Sequence, residues 1–151
     1  MRMPSDVTDE PWVWVDAPGR PEPTEASGKW LVFRRGWDAV NETWTVIRDA
    51  VLRGELGQSA KVATPEQGPA RDWGTPIIVY TVNAKDKAGV DEVLAGLRAL
   101  GISERLSYKA DEVTEQLRYG RGTAWYVAQP GELVSEDRRD PEARGQSSLF
   151  E

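Results

Sequence analysis

The apolar residues of this chain fall into regular periods only between Lys29 and Ala128, and within that stretch the period keeps changing between that of a strand and that of a helix. "KWLVFR" alternates as a strand does. "WDAVNETWTVIRDAVLRG" then places Val40, Trp44, Ile47 and Val51 on one helical face, with Asp38 as the expected N-cap and Gly54 as the stop. "SAKVAT" reads as a short strand, "PEQGPARDWGTP" as a loop, and "IIVYTV" as a β-branched strand. A second helix follows Asp86 with the stripe Val90, Val93, Leu94 and Leu97, and Gly101 ends it. "RLSYK" is a strand, Asp111 is placed to cap a short helix reaching Tyr119, and "TAWYVA" is the last strand.

The order β-α-β-β-α-β-α-β lacks the regular alternation of a doubly wound sheet. It predicts an α+β fold, with a mixed, mainly antiparallel sheet and helices packed on one face. A chain of 151 residues suits one such domain. Residues 1–28 are expected to form an irregular acidic arm, 29–128 the domain, and 129–151 a disordered acidic tail. Within the arm, "PWVWV" alternates Trp12 and Trp14 with valines and is placed to dock along the domain as an extended segment.

Charge follows the same division. The net charge is −6, but residues 1–28 contribute −4 and residues 129–151 contribute −3, leaving +1 for the stretch between. No broad basic surface for duplex DNA is therefore expected, because duplex affinity comes from neutralising many phosphates together. The chain has no cysteine and no histidine, so thiolate sites, disulfides and imidazole acid–base chemistry are excluded. The reading calls for no metal and no cofactor. Without a secretory segment or a long apolar run, the expected location is cytoplasmic, with no membrane partner.

Strand alternation isolates two cations. Lys61 stands opposite in sense to Ala60 and Val62, and Lys109 opposite to Leu106 and Tyr108, so both lysines are expected on the sheet face that the helices leave open. Arg118 and Arg121 approach the same rim from "RYGRG". Such a group would hold phosphate or carboxylate. Trp30, Trp44 and Trp125 lie on periodic elements and are assigned to the core, whereas Trp37 and Trp73 lie beside glycines and are candidates for stacking on a flat ligand.

The segments "GKWLVF", "ELGQSAKVAT", "IIVYTVNAKDKAGVDEVLAGLRALGI" and "LSYKADEVT" resemble the family of the basophilic leukaemia-expressed protein, over roughly residues 28–119. The resemblance implies a fold like that of the cap-binding translation initiation factor, with nucleotide or RNA-cap recognition by paired tryptophans, for which Trp37 and Trp73 are the candidates. Some bacterial members are described as phosphothreonine lyase domains, which implies an enzyme that eliminates phosphate from a phosphorylated substrate. In this sequence Lys61 or Lys109 would serve as base and Tyr108 as the acid replacing the missing histidine. Either lysine would need a pKa lowered from about 10.4 toward neutrality.

The last motif is "QSSLF". It resembles the peptide by which bacterial replication and repair proteins dock on the β sliding clamp, with Gln146, Ser148, Leu149 and Phe150 as the contacting residues. Burying one Leu and one Phe contributes roughly 3–6 kcal/mol before ordering costs, which suits transient recruitment. The sequence thus points to a small binding or adaptor protein with a phosphate- or nucleotide-ligand pocket, tethered to the sliding clamp.

Overall fold

The computed structural model describes residues 2–21, 24, 26–68, 74–111 and 124–139. Among these residues seven strands form one sheet: β1 (Trp12–Asp16), β2 (Gly28–Arg34), β3 (Ser59–Ala63), β4 (Thr75–Thr81), β5 (Leu106–Ala110), β6 (Tyr126–Ala128) and β7 (Glu136–Asp137). Two helices, α1 (Trp37–Leu52) and α2 (Lys87–Ala99), follow β2 and β4. The spatial order is β1-β3-β4-β2-β5-β6-β7, and every neighbouring pair is antiparallel. The molecule is an α+β protein.

The helical stripes read from the sequence form the core. Val40, Trp44, Ile47 and Val51 of α1 and Val90, Val93, Leu94 and Leu97 of α2 are all buried. They pack on the sheet face that carries Trp30, Val32, Val62, Ile77, Val79, Tyr108 and Tyr126. Two hydrogen bonds fix polar atoms within this layer: Trp30 Nε1 donates to the Val90 carbonyl at 3.0 Å, and Tyr126 Oη donates to the Ala84 carbonyl at 2.9 Å. Burying those polar ends unpaired would cost about 1–3 kcal/mol each.

Helix ends follow capping chemistry, with one correction. Asp86 accepts from the Gly89 amide at 3.3 Å and caps α2 as expected. Asp38 does not cap α1; the cap position belongs to Gly36, whose φ of 86° favours glycine, and Asp38 lies in the first turn, where its charge complements the helix dipole.

Both flanks are more ordered than composition suggests. "WVWVD" is edge strand β1, paired to β3 with Trp14 opposite Lys61. Ahead of it, a 3₁₀ turn at Pro4–Asp6 packs on α1, where Asn41 Nδ2 donates to Ser5 Oγ at 2.8 Å and Asn41 Oδ1 accepts from the Ser5 amide at 3.2 Å. The acidic, proline-rich composition masked a strand that needs only its two alternating faces. At the other flank, residues 129–139 are packed rather than disordered. Arg98 at the end of α2 donates to the carbonyls of Ile102, Glu104, Gln129 and Glu132, at 2.7–2.9 Å. Asp91 then accepts from the amide and hydroxyl of Ser135, and β7 adds to β6. Residues 140–151 lie outside the described residues, as does the helix expected beyond Asp111.

Candidate functional site

The face of the sheet opposite the helices is organised in rows by its register. One row runs Trp14–Lys61–Ile78–Leu31–Ser107, and the next runs Asp16–Ser59–Tyr80–Lys29–Lys109. Directly opposed residues in antiparallel strands share a face, so these rows carry three lysines, an indole and a phenol on one surface. Lys61 and Lys109 therefore emerge on the same face, as alternation predicts.

Lys61 is the centre of the cluster. Its ammonium lies 4.0 Å from the ring centroid of Trp12, 4.9 Å from that of Trp14 and 5.8 Å from that of Tyr80. The Trp14 and Tyr80 rings are nearly parallel, at 13° with centroids 5.8 Å apart. Cation–π attraction at this range is worth about 0.5–2 kcal/mol, more as the group is desolvated. Burial lowers the Lys61 pKa below its ordinary 10.5, the Lys29 charge lowers it further, and Asp111 opposes the shift. Among the described residues Lys61 has no ion pair.

The second row is polar and partly neutralised. Lys29 Nζ bonds to Asp111 Oδ1 at 2.7 Å, and Arg20 Nε lies 3.1 Å from Asp16 Oδ1. Lys109 stands directly opposite Lys29, and its side chain has no ion pair or hydrogen bond among the described residues. A cleft of about 400 Å³ opens here, lined by Trp14, Asp16, Arg20, Ser27, Gln58, Ser59, Tyr80 and Asp111. Burial, with help from Asp111, pushes the Tyr80 phenol up to about 12, so it remains a hydrogen-bond donor at neutral pH. The aromatic wall and hydroxyl donors of the cleft, with Arg20 in its lining and the lysines beside it, suit a planar ligand bearing an anionic group.

Other residues read from the sequence do not join this cluster. Tyr108 is fully buried on the helix-facing side of the sheet, where its hydroxyl bonds to Thr81 Oγ1. Burial raises its pKa. It is no acid partner for Lys61 or Lys109, because an odd step along a strand puts it on the opposite face. Trp37 opens α1 and packs against the core from the helix layer, so it does not reach the lysine face. Trp30 and Trp44 are fully buried as expected, while Trp125 is half-buried under Arg139, whose guanidinium carbon lies 5.0 Å from its ring. Trp73, Arg118, Arg121, Gln146, Ser148, Leu149 and Phe150 lie outside the described residues.

Trp12, Trp14, Tyr80, Lys29 and Asp111 are the members that sequence reasoning missed. Their signal was present, since each shares strand parity with Lys61 or Lys109 once the register is known. Pairing between strands, which periodicity alone does not give, was the missing link.

The stretch that builds this face, from the loop before β2 to the residues after β5, is also the stretch recognised by a family model. The model of the basophilic leukemia-expressed protein Bles03 matches residues 22–116, well over half of the chain. The chain belongs to the Bles03 family. Four of the sheet's seven strands, β2 to β5, and both helices lie within the Bles03 match, so Lys29, Lys61, Tyr80, Lys109 and Asp111 are positioned by family elements. Trp12 and Trp14 lie ahead of it and are brought to the face by β1.

Proposed function

We propose that this protein is a small binding protein whose open sheet face holds a phosphate-bearing, planar ligand such as a nucleotide, and that the segment Gln146 to Phe150 recruits it to the bacterial β sliding clamp. The observation that carries the first part is the placement of Lys61, a cation without an ion-pair partner among the described residues, against Trp12, Trp14 and Tyr80 beside a 400 Å³ cleft. An anion would supply the missing counter-charge, and the rings would stack on its base. Titrating the protein's tryptophan fluorescence with mononucleotides tests it. Saturable quenching that disappears in Lys61→Met supports the reading; no response from the unaltered protein rejects it.

The recruitment half is supported by the sequence "QSSLF", which combines a glutamine amide with adjacent Leu149 and Phe150 side chains for apolar subsites. Deleting residues 146–150 should abolish binding to the purified clamp while leaving the circular dichroism spectrum unchanged. Clamp binding that survives the deletion rejects it.

One observation favours a second reading, in which the same face acts as a phosphothreonine lyase. Lys61 has its pKa lowered by burial, the direction a base requires. Lys61 would take the α-proton, the electron pair would form the Cα–Cβ double bond, and the Cβ–O bond would break to release phosphate. Tyr80, still protonated near neutrality, is the donor on that face. Incubation with a phosphothreonine peptide decides it: released phosphate with a dehydrated peptide supports the enzyme, and an unchanged peptide removes it.

A further inference from the structure

We infer that the ligand of the open face is single-stranded nucleic acid, laid across β1, β3, β4, β2 and β5, rather than a free mononucleotide. The inference rests on the ligand reading proposed above and specifies its ligand class.

Charge placement carries the first step. The chain as a whole is at −6, which opposes polyanions, so any attraction must be local. On this face Asp16 is matched by Arg20 and Asp111 by Lys29. Lys61 and Lys109 then remain without a carboxylate partner among the described residues. These two lysines lie on β3 and β5 with β4 and β2 between them. Three inter-strand steps and the two-residue offset between their rows separate their backbones by roughly 16 Å. That separation suits two non-adjacent phosphates of one strand, which a mononucleotide does not have.

Aromatic placement carries the second step. Trp14 is 54% exposed, and Trp12 stands at the next same-face position of the same edge strand. Every base has a face that stacks on such rings without regard to sequence. Because β1 ends the sheet, a polymer crossing the rings continues beyond it without meeting another strand. Paired bases keep their faces covered, so the platform selects unpaired ones.

The test compares three probes by fluorescence titration of the full chain: thymidine monophosphate, a ten-residue oligothymidylate and a ten-base-pair duplex. The oligonucleotide should bind at least about tenfold more tightly than the monophosphate, as expected when several bases stack at once. Two phosphate contacts give a salt slope near −1.4, so raising salt from about 50 to 200 mM should weaken oligonucleotide binding about sevenfold. Lys109→Gln should roughly halve that slope. Trp14→Ala should weaken binding at least about fivefold, and Trp14→Phe, which keeps a ring, should recover much of it. Equal affinity for monophosphate and oligonucleotide overturns this inference and leaves the mononucleotide reading standing. Failure of both probes to bind overturns the two together. A duplex bound as tightly as the single strand, or affinity indifferent to Trp14→Ala, also overturns the platform.

Discussion

Lys29 and Lys109 face each other across the β2–β5 pair, and Asp111, two residues beyond Lys109, reaches back to hold the Lys29 ammonium at 2.7 Å. Like charges directly opposed across strands destabilise a sheet. Asp111 therefore neutralises one member and leaves the Lys109 side chain without an ion pair among the described residues. Its backbone is fixed too, since the Asp111 amide donates to the Ser27 carbonyl at 2.9 Å.

This relationship sets the expected behaviour of Asp111→Asn. The variant takes the ion pair from Lys29 and the opposing carboxylate charge from Lys61, so stability should fall by about 1 kcal/mol, a figure held down by the partial exposure of the pair. Affinity for an anionic ligand should rise several-fold at low salt and converge on that of the unaltered protein at high salt. Chemical denaturation and ligand titration at two ionic strengths check both halves. A drop in affinity would show that Asp111 contacts the ligand itself.

Gly28 explains why the family segment "GKWLVF" begins as it does. A Cβ at this position would collide with Tyr108 Oη and lie 2.5 Å from its ring carbon Cζ. The phenol is buried, bonded to Thr81 and packed edge-on against Trp30 at 5.3 Å, so it has nowhere to retreat. Gly28→Ala should cost about 3 kcal/mol through overpacking. Tyr108→Phe should cost only about 1–2 kcal/mol, the loss of one buried hydrogen bond. The double variant should recover only part of the Gly28→Ala loss in thermal denaturation, because ring carbons Cζ and Cε1 would still crowd the added Cβ.

Arg98 ties residues 129–132 to the end of α2 through the carbonyls of Gln129 and Glu132, while its other two contacts hold the carbonyls of Ile102 and Glu104. Arg98→Ala should destabilise by about 2–4 kcal/mol, because carbonyls lose charge-assisted donors. Lysine should rescue little, since its point charge does not reproduce the planar fork. Hydrogen exchange localises the effect: amides of residues 129–137 should lose protection in both variants, while those of β2 and β4 keep theirs at matched stability.

The contrast between Arg98 and the helices shows what the sequence discloses. Val40, Trp44, Ile47 and Val51 announce a buried face because their spacing is local. The packing of residues 129–139 depends on hydrogen bonds from a residue some thirty positions earlier to backbone carbonyls, and no periodicity records that. The site divides the same way. Lys61 and Lys109 were legible from strand parity alone. Their neighbours required knowing that β1 pairs β3 and β2 pairs β5, which sequence-local patterns leave open. Tyr108 and Trp37 are drawn toward the site by chemical type and resemblance; Tyr108 is buried on the helix side, and Trp37 packs against the core from the helix layer.

Lys61 finally gives the face a pH signature. Its pKa lies below the unfolded value near 10.5, so the unfolded chain binds more protons in the interval between the two. Stability must then rise with pH across that interval: the relative gain is complete above 10.5 and is lost as pH falls through the folded pKa. Lys61→Met removes this contribution and should flatten the alkaline limb of the stability curve. At neutral pH it should lie within about 1 kcal/mol of the unaltered protein, because lost cation–π attraction offsets relief of the buried charge. Ligand binding moves in the opposite sense, since the anion needs the ammonium. Affinity should decline on the alkaline side at a pH below that of an ordinary lysine, and Lys61→Arg, which stays charged, should shift the decline to higher pH. Paired denaturation and ligand titrations between pH 7 and about 11 check this. An affinity that holds constant up to the ordinary lysine range would show that Lys61 is not the group that meets the anion.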